Sequence, residues 1–375
     1  MQNSLDGILV VSMEQAVAAP YCSSRLADAG ARVIKVERPE GDFARGYDQH
    51  IKGMSSFFVW LNRGKESLCI DLKLDSDKAL LERIIVKADV LIQNLRPGVM
   101  AKAGFASERL RAQYPRLITC DISGYGEGNE YSHMKAYDML VQAESGLCSI
   151  TGSPEQPGRV GVSACDISCG MNAYMGIMEA LYAREKTGQG MAIATSLFEG
   201  MADWMAVPLM IHEYTGRSMQ RSGLSHPILQ PYGAFATKDG PPILLAVQNQ
   251  REYKNLCLQV LQRPELVDDP RFIDNQQRCA NTDAMRSEIE AVSTSMDRDE
   301  LIRLLSAAGI AFGEVNGVEQ LATHPALRRL QVPTREGNIS LTAPAIRRNG
   351  VSATAGPVPE LAEHDAAIRE EFSEE

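Results

Sequence analysis

A chain of 375 residues, 44% hydrophobic and 23% charged, has the length for two to three domains at roughly 150 residues each. Its composition is that of a globular protein and excludes a disordered or fibrous one. A net charge of −10 argues against nucleic-acid binding, which needs a concentrated basic face, and no run approaches the ~18 uncharged apolar residues of a membrane span.

Residues 1–6 hold neither a basic region nor an apolar run, so no export signal is expected and the cytoplasm is the default compartment. The eight cysteines show no CxxC pair and no zinc spacing, which predicts free thiols and no metal site. Short apolar runs at 8–11, 31–37, 68–72, 89–93 and 117–122 read as strands. Amphipathic segments separate them. One is 20–29, with Pro20 in its first turn and Gly30 at its stop. Another is 78–88, where Leu80, Leu81, Ile84 and Ile85 share one helical face. Strands alternating with helices imply βαβ units and a right-handed, doubly wound α/β fold on a parallel sheet. A strong helix over 171–184 and a strand over 192–197 continue this region.

The pattern changes after about residue 215. Strands at 232–237 and 243–247 flank a turn at 238–242, and helices follow near 252–261, 284–293 and 298–308. The division expected is a large domain over 1–215, a smaller α+β domain over 216–308, and a segment over 309–375, with a strand at 311–315, that returns to the large domain.

A parallel sheet binds its ligand at the carboxyl ends of its strands. A nicotinamide dinucleotide is disfavoured, because the first turn, 11–20, has no glycine to let backbone approach a pyrophosphate. Basic residues recur where strands end: Arg38, Lys73, Arg96, Lys102 and Lys135. Each alone reads as a surface charge. Converging at one edge, they would hold phosphates by charge-assisted hydrogen bonds. The segment GVSACDISCG, 161–170, leads into the strong helix. The positive helix end favours an ionised Asp166, and such a carboxylate beside a thioester is a nucleophile. Capping of the helix by Asp166 is the plainer reading and stays open. Cys165 and Cys169 have no histidine near in sequence and read as packing residues.

Longer blocks carry a resemblance: ARVIKVERPEGDFAR at 31–45, NRGKESLCIDLK at 62–73, LIQNLRPGVMAKAGF at 91–105, KAYDML at 135–140, CDISCG at 165–170 and REKTGQG at 184–190. With the segments 226–235, 269–278 and 309–318, they make the chain similar over nearly its whole length to the class III CoA-transferases, the group of formyl-CoA transferase and carnitine CoA-transferase. The resemblance implies a Rossmann-like large domain completed by the C-terminal segment, a second small domain, and a homodimer of two interlocked chains. It implies Asp166 as the nucleophile. It carries coenzyme A contacts onto Arg38, Ile70, Asp71, Leu72, Lys73, Asn94, Leu95, Arg96, Lys102, Lys135, Ala136, Tyr137 and Asp138. Lys102 stands where the family often has arginine, and Val17 where some members have glutamine, with Gln15 nearby.

The implied substrates are an acyl-CoA and a free carboxylic acid, with coenzyme A thioesters as substrates and no permanently bound cofactor. The segment 15–20 is similar to members handling C4–C5 dicarboxylates, which points to succinyl-CoA as donor and itaconate, mesaconate or citramalate as acceptor. No glycine-rich loop stands around 223–230, which weighs against formate or oxalate. A distal carboxylate needs a cation, and Arg45, Arg159, Arg217, Arg221 and His226 are the candidates. Two other functions stay open: an α-methylacyl-CoA racemase and a non-catalytic CoA-binding protein. Racemases of similar sequence place a histidine in a GHD-type block where this chain has Ala136-Tyr137-Asp138.

Overall fold

The computed structural model describes residues 3–350 and 355–374, divided into two compact units. The first takes in 1–147, 159–207 and 328–375; the second takes in 148–158 and 208–327.

The first unit is built on six parallel strands, β1 (Leu9–Met13), β2 (Arg32–Glu37), β3 (Glu66–Cys69), β4 (Val90–Gln93), β5 (Ile118–Ser123) and β6 (Ala192–Ser196). Their order is β3-β2-β1-β4-β5-β6, the doubly wound α/β arrangement expected from the alternation of strands and helices. In register, Val11 stands between Ile34 of β2 and Leu91 of β4. Central strands covered on both faces need unbroken apolar runs, and Val10, Val11, Ile34 and Ile92 are completely buried. Each such side chain contributes about 1.5–3 kcal/mol of burial. One face of the sheet packs Val10, Ile92, Leu26, Cys169 and Ile177. The other packs Val11, Ile34, Leu81, Ile84 and, from the C-terminal end, Ile368 and Phe372.

Two elements differ from the sequence reading where it matters for function. The third strand ends at Cys69 rather than at residue 72. Asp77 accepts the Asp71 N–H at 2.8 Å and Asp71 accepts the Lys73 N–H at 3.0 Å. These side-chain bonds turn the chain and free residues 70–73 as a loop. The long helix spans Ala164–Thr187, not 171–184, so Asp166 lies in its first turn rather than ahead of it. Its first residues are small and polar and give no 3.6-residue apolar period. They helix because they pack against α1 (Ala18–Asp28). Gly170 permits that approach: a Cβ there would lie 2.6 Å from the Ala18 carbonyl oxygen and 2.9 Å from the Tyr21 Cβ.

The second unit has an antiparallel sheet of β7 (Tyr232–Phe235), β8 (Ile243–Ala246) and β9 (Ala311–Glu314) and its own core around Phe235, Leu245, Leu256, Phe272 and Leu305. The strand near 311, expected with the returning segment, is the edge partner of β8, with Ala311 opposite Ala246. The chain re-enters the first unit at 328. Among the described residues no helix is long and apolar enough to cross a membrane.

Candidate active site

The order of strands reverses between β1 and β4, so the loops leaving them diverge and open a crevice at the carboxyl edge. A pocket of about 350 Å³ sits there. Met13 and Gln15 line it from β1, Arg38 from β2, Ile70, Asp71, Leu72 and Lys73 from β3, and Leu95 from β4. Asn94 ties the diverging loops together: its Oδ1 accepts the Gln15 N–H at 2.9 Å and its Nδ2 donates to the Gln15 carbonyl at 2.8 Å. Val17 is buried, whereas Gln15 reaches the pocket wall.

Seven of the expected coenzyme A contacts, Arg38, the four residues 70–73, Asn94 and Leu95, are thus at or beside one crevice. Arg96 and Lys102 are exposed and are not part of the pocket wall. Lys135 is exposed on another segment of the unit.

The pocket floor holds a group of charges that sequence reasoning passed over. Glu14, Lys35, Asp42 and Lys65 have fully or almost fully buried side chains. Lys65 Nζ lies 2.6 Å from Glu14 Oε1, and Lys35 Nζ lies 3.4 Å from Glu14 and 2.9 Å from Asp42. Burial opposes ionisation of Glu14, but Lys65 and Lys35 outweigh it and hold the carboxyl below its usual range. Burial pushes Lys65 down to about 8 against the pull of Glu14. Asp42 also accepts the backbone N–H of Ala16, at 3.1 Å, and of Ala44, at 2.9 Å. Ala16 is in the left-handed region, φ +63°, so this bond holds a strained turn directly after β1. The available signal was a lysine, Lys35, inside the otherwise apolar run VIKV.

Asp166 occupies the first turn of α2 (Ala164–Thr187) and is half-buried. Asp138 begins the helix Asp138–Glu144, and its carboxylate reaches the start of α2. Asp138 Oδ1 accepts the Cys165 N–H at 2.8 Å and the Asp166 N–H at 3.4 Å, while Oδ2 accepts from Gln142 Nε2 at 2.8 Å. The capping role open to Asp166 is therefore performed by Asp138. Burial, and then the neighbouring Asp138 charge, push the Asp166 carboxyl up to about 7. This corrects the expectation that the helix end would favour ionisation: among the described residues no side-chain or backbone donor reaches the Asp166 carboxylate, and the two opposing effects win.

Ala136 packs so close to the chain at Gly124 that a Cβ there would lie 2.2 Å from its own. Tyr137 is exposed. Tyr47 has its phenol raised to about 12 by burial, then by the charges of Asp42 and Asp166. It is thus an aromatic hydroxyl within electrostatic reach of Asp166 that the sequence did not mark.

The helix start that presents Asp166 and the Rossmann-type crevice belong to the same unit. Residues 5–365 match the model of CoA-transferase family III. The chain belongs to that family. It is therefore a CoA-transferase, and the racemase and non-catalytic readings give way to it. This CoA-transferase is 36% identical over 373 residues to the acetyl-CoA:oxalate CoA-transferase of Acetobacter aceti, covering 98% of this chain and 95% of that protein. It is 30% identical to the succinyl-CoA:mesaconate CoA-transferase of Haloarcula hispanica, covering 98% and 96%. A crystal structure of a CaiB/BaiF family protein from Brucella suis superposes with a TM-score of 0.84 at 32% identity, covering 99% of this chain and all of that one.

Proposed function

We propose that this CoA-transferase moves coenzyme A from succinyl-CoA to a C4–C5 dicarboxylate such as mesaconate, citramalate or itaconate, with Asp166 as the covalent relay. The observation that carries the mechanism is the carboxyl of Asp166 at the first turn of α2, poised near neutrality. The dicarboxylate reading draws on relatives named for mesaconate and oxalate. An oxalate relative at 36% identity also returns oxalate to the acceptor panel, despite the missing glycine-rich loop.

The Asp166 carboxylate attacks the thioester carbonyl of succinyl-CoA. The C–S bond breaks, CoA thiolate leaves, and a mixed aspartyl–succinyl anhydride forms. The thiolate then attacks the aspartyl carbonyl, releasing succinate and leaving an aspartyl-CoA thioester. The acceptor carboxylate attacks that thioester and expels the thiolate to give a second anhydride. The thiolate attacks its acyl carbonyl, releasing the new acyl-CoA and restoring Asp166. One thioester replaces another, so no external energy source enters the balance.

The crevice residues Arg38, Ile70, Asp71, Leu72, Lys73, Asn94 and Leu95 are assigned to the coenzyme A moiety, with Arg96, Lys102 and Lys135 as outlying cations. Asp138 is assigned to holding and tuning Asp166 rather than to coenzyme A. The dimer reading draws on α2, which leaves Met171, Met175 and Tyr182 exposed as apolar side chains a second copy would cover. The eight free thiols support a reducing, cytoplasmic setting.

The test is succinyl-CoA with mesaconate, citramalate, itaconate, oxalate, formate and carnitine as acceptors, with mass spectrometry of enzyme quenched during turnover. Transfer to the dicarboxylates and a label on Asp166 are expected. Transfer confined to formate or carnitine, or a label on another residue, overturns the proposal.

A further inference from the structure

The second unit carries a cleft of about 820 Å³, every lining residue of which belongs to that unit. Arg217, Arg221 and His226 line it together. Arg221 is anchored by three neutral groups: Nε donates to the Ser153 carbonyl at 2.9 Å, Nη1 to Ser149 at 3.1 Å and Nη2 to Pro154 at 3.1 Å. Carbonyl dipoles orient the guanidinium without cancelling its charge, and two of its five N–H donors stay free of these bonds. Glu155 feels Arg221 but makes no ion pair with it among the described residues. Arg217 likewise has no ion-pair partner there. Arg286, on the same wall, is already paired with Glu290 at 2.7 Å.

His226 adds a directed donor. Its Nδ1 accepts the Ile228 N–H at 3.2 Å, so the ring hydrogen sits on Nε2. Its plane is fixed by stacking on Tyr232, with ring centroids 5.1 Å apart and planes 13° from parallel. Two cations without carboxylate partners and one oriented N–H donor make a receptor for a carboxylate. Planar guanidinium forks match that group's two oxygens.

We infer that this cleft binds a small dicarboxylate through its free carboxylates, with Arg217 and Arg221 as the recognising cations. The inference rests on the acceptor class proposed above. An anionic phosphate of coenzyme A would satisfy the same cations, and the experiment separates the two.

Equilibrium binding to the full chain is measured by saturation-transfer NMR and calorimetry with succinate, with butyrate (the same chain length less one carboxylate) and with 3′,5′-ADP. Succinate is expected to bind about tenfold or more tightly than butyrate, the effect of one charge-assisted contact. Arg217→Gln removes that preference and Arg217→Lys restores part of it. Arg217 is exposed, so both variants keep the wild-type melting temperature. Equal binding of succinate and butyrate, or 3′,5′-ADP competing for the Arg217-dependent site, overturns the inference and leaves CoA transfer through Asp166 standing. Absence of CoA transfer to any acid overturns the function proposed above, while the binding comparison still decides the cleft.

Discussion

Asp138 Oδ1 lies 3.4 Å from the backbone nitrogen of Asp166 and 2.8 Å from that of Cys165, so one carboxylate caps the helix that presents the other. The cap serves stability, and its charge disfavours a second anion next to it. Asp166 ionises near pH 7 as a result of burial first and Asp138 second.

In the proposed mechanism Asp166 must be ionised to attack. The kcat/KM for the acyl-CoA donor, which reports the free enzyme, is therefore expected to rise with pH through an acid limb near 7. Asp138→Asn keeps an oxygen for the Cys165 N–H but removes the charge. Its acid limb moves to lower pH. An unmoved limb in a pH–rate profile would show that Asp138 does not tune Asp166.

Asp166→Asn removes the proposed nucleophile and is expected to lower turnover by on the order of 10³-fold or more. The same change affects stability with a definite sign. The folded carboxyl titrates near 7, above its ordinary value of 3.8, so its contribution to folding is intact at low pH and is lost as pH rises to 7. The variant should melt higher than wild type at pH 8, with the gap closing towards pH 4. Melting curves across that range check it.

Glu14→Gln leaves Lys35 and Lys65 buried without their shared counter-charge. Breaking a buried pair from one side destabilises by about 3–5 kcal/mol, which urea titration of the full chain measures. Because Glu14 and Asp42 line the crevice, the KM for succinyl-CoA should rise more than kcat falls.

Gly170→Ala places a methyl 2.6 Å from the Ala18 carbonyl oxygen, which belongs to backbone and cannot swing aside. Overpacking of this kind costs about 1–3 kcal/mol. Gly170 is one helical turn from Asp166 on α2, so a fall in kcat is expected along with a lower melting temperature.

Much of the fold was legible because its signals are local. The runs at 8–11, 31–37, 89–93 and 117–122 became β1, β2, β4 and β5 within one or two residues, since buried parallel strands demand apolar runs whatever surrounds them. The end of β3 was misread because Ile70 and Leu72 are apolar, yet they turn under the hydrogen bonds of Asp71 and Asp77. The strand near 311 was read as a strand but given the wrong neighbour, because sequence period reports that a strand exists and not which edge it joins.

The sequence by itself determined the alternation of strands and helices, the α/β class and, through its long blocks, the family; these depend on side-chain periodicity and on motif residues close together in the chain. Only the tertiary structure decided that Asp138 rather than Asp166 caps α2, that Lys35 and Lys65 share Glu14 beneath the crevice, and that Arg217 and Arg221 meet in one cleft. Each of these depends on desolvation and on distances between segments remote in sequence, and both arise only when the chain has packed.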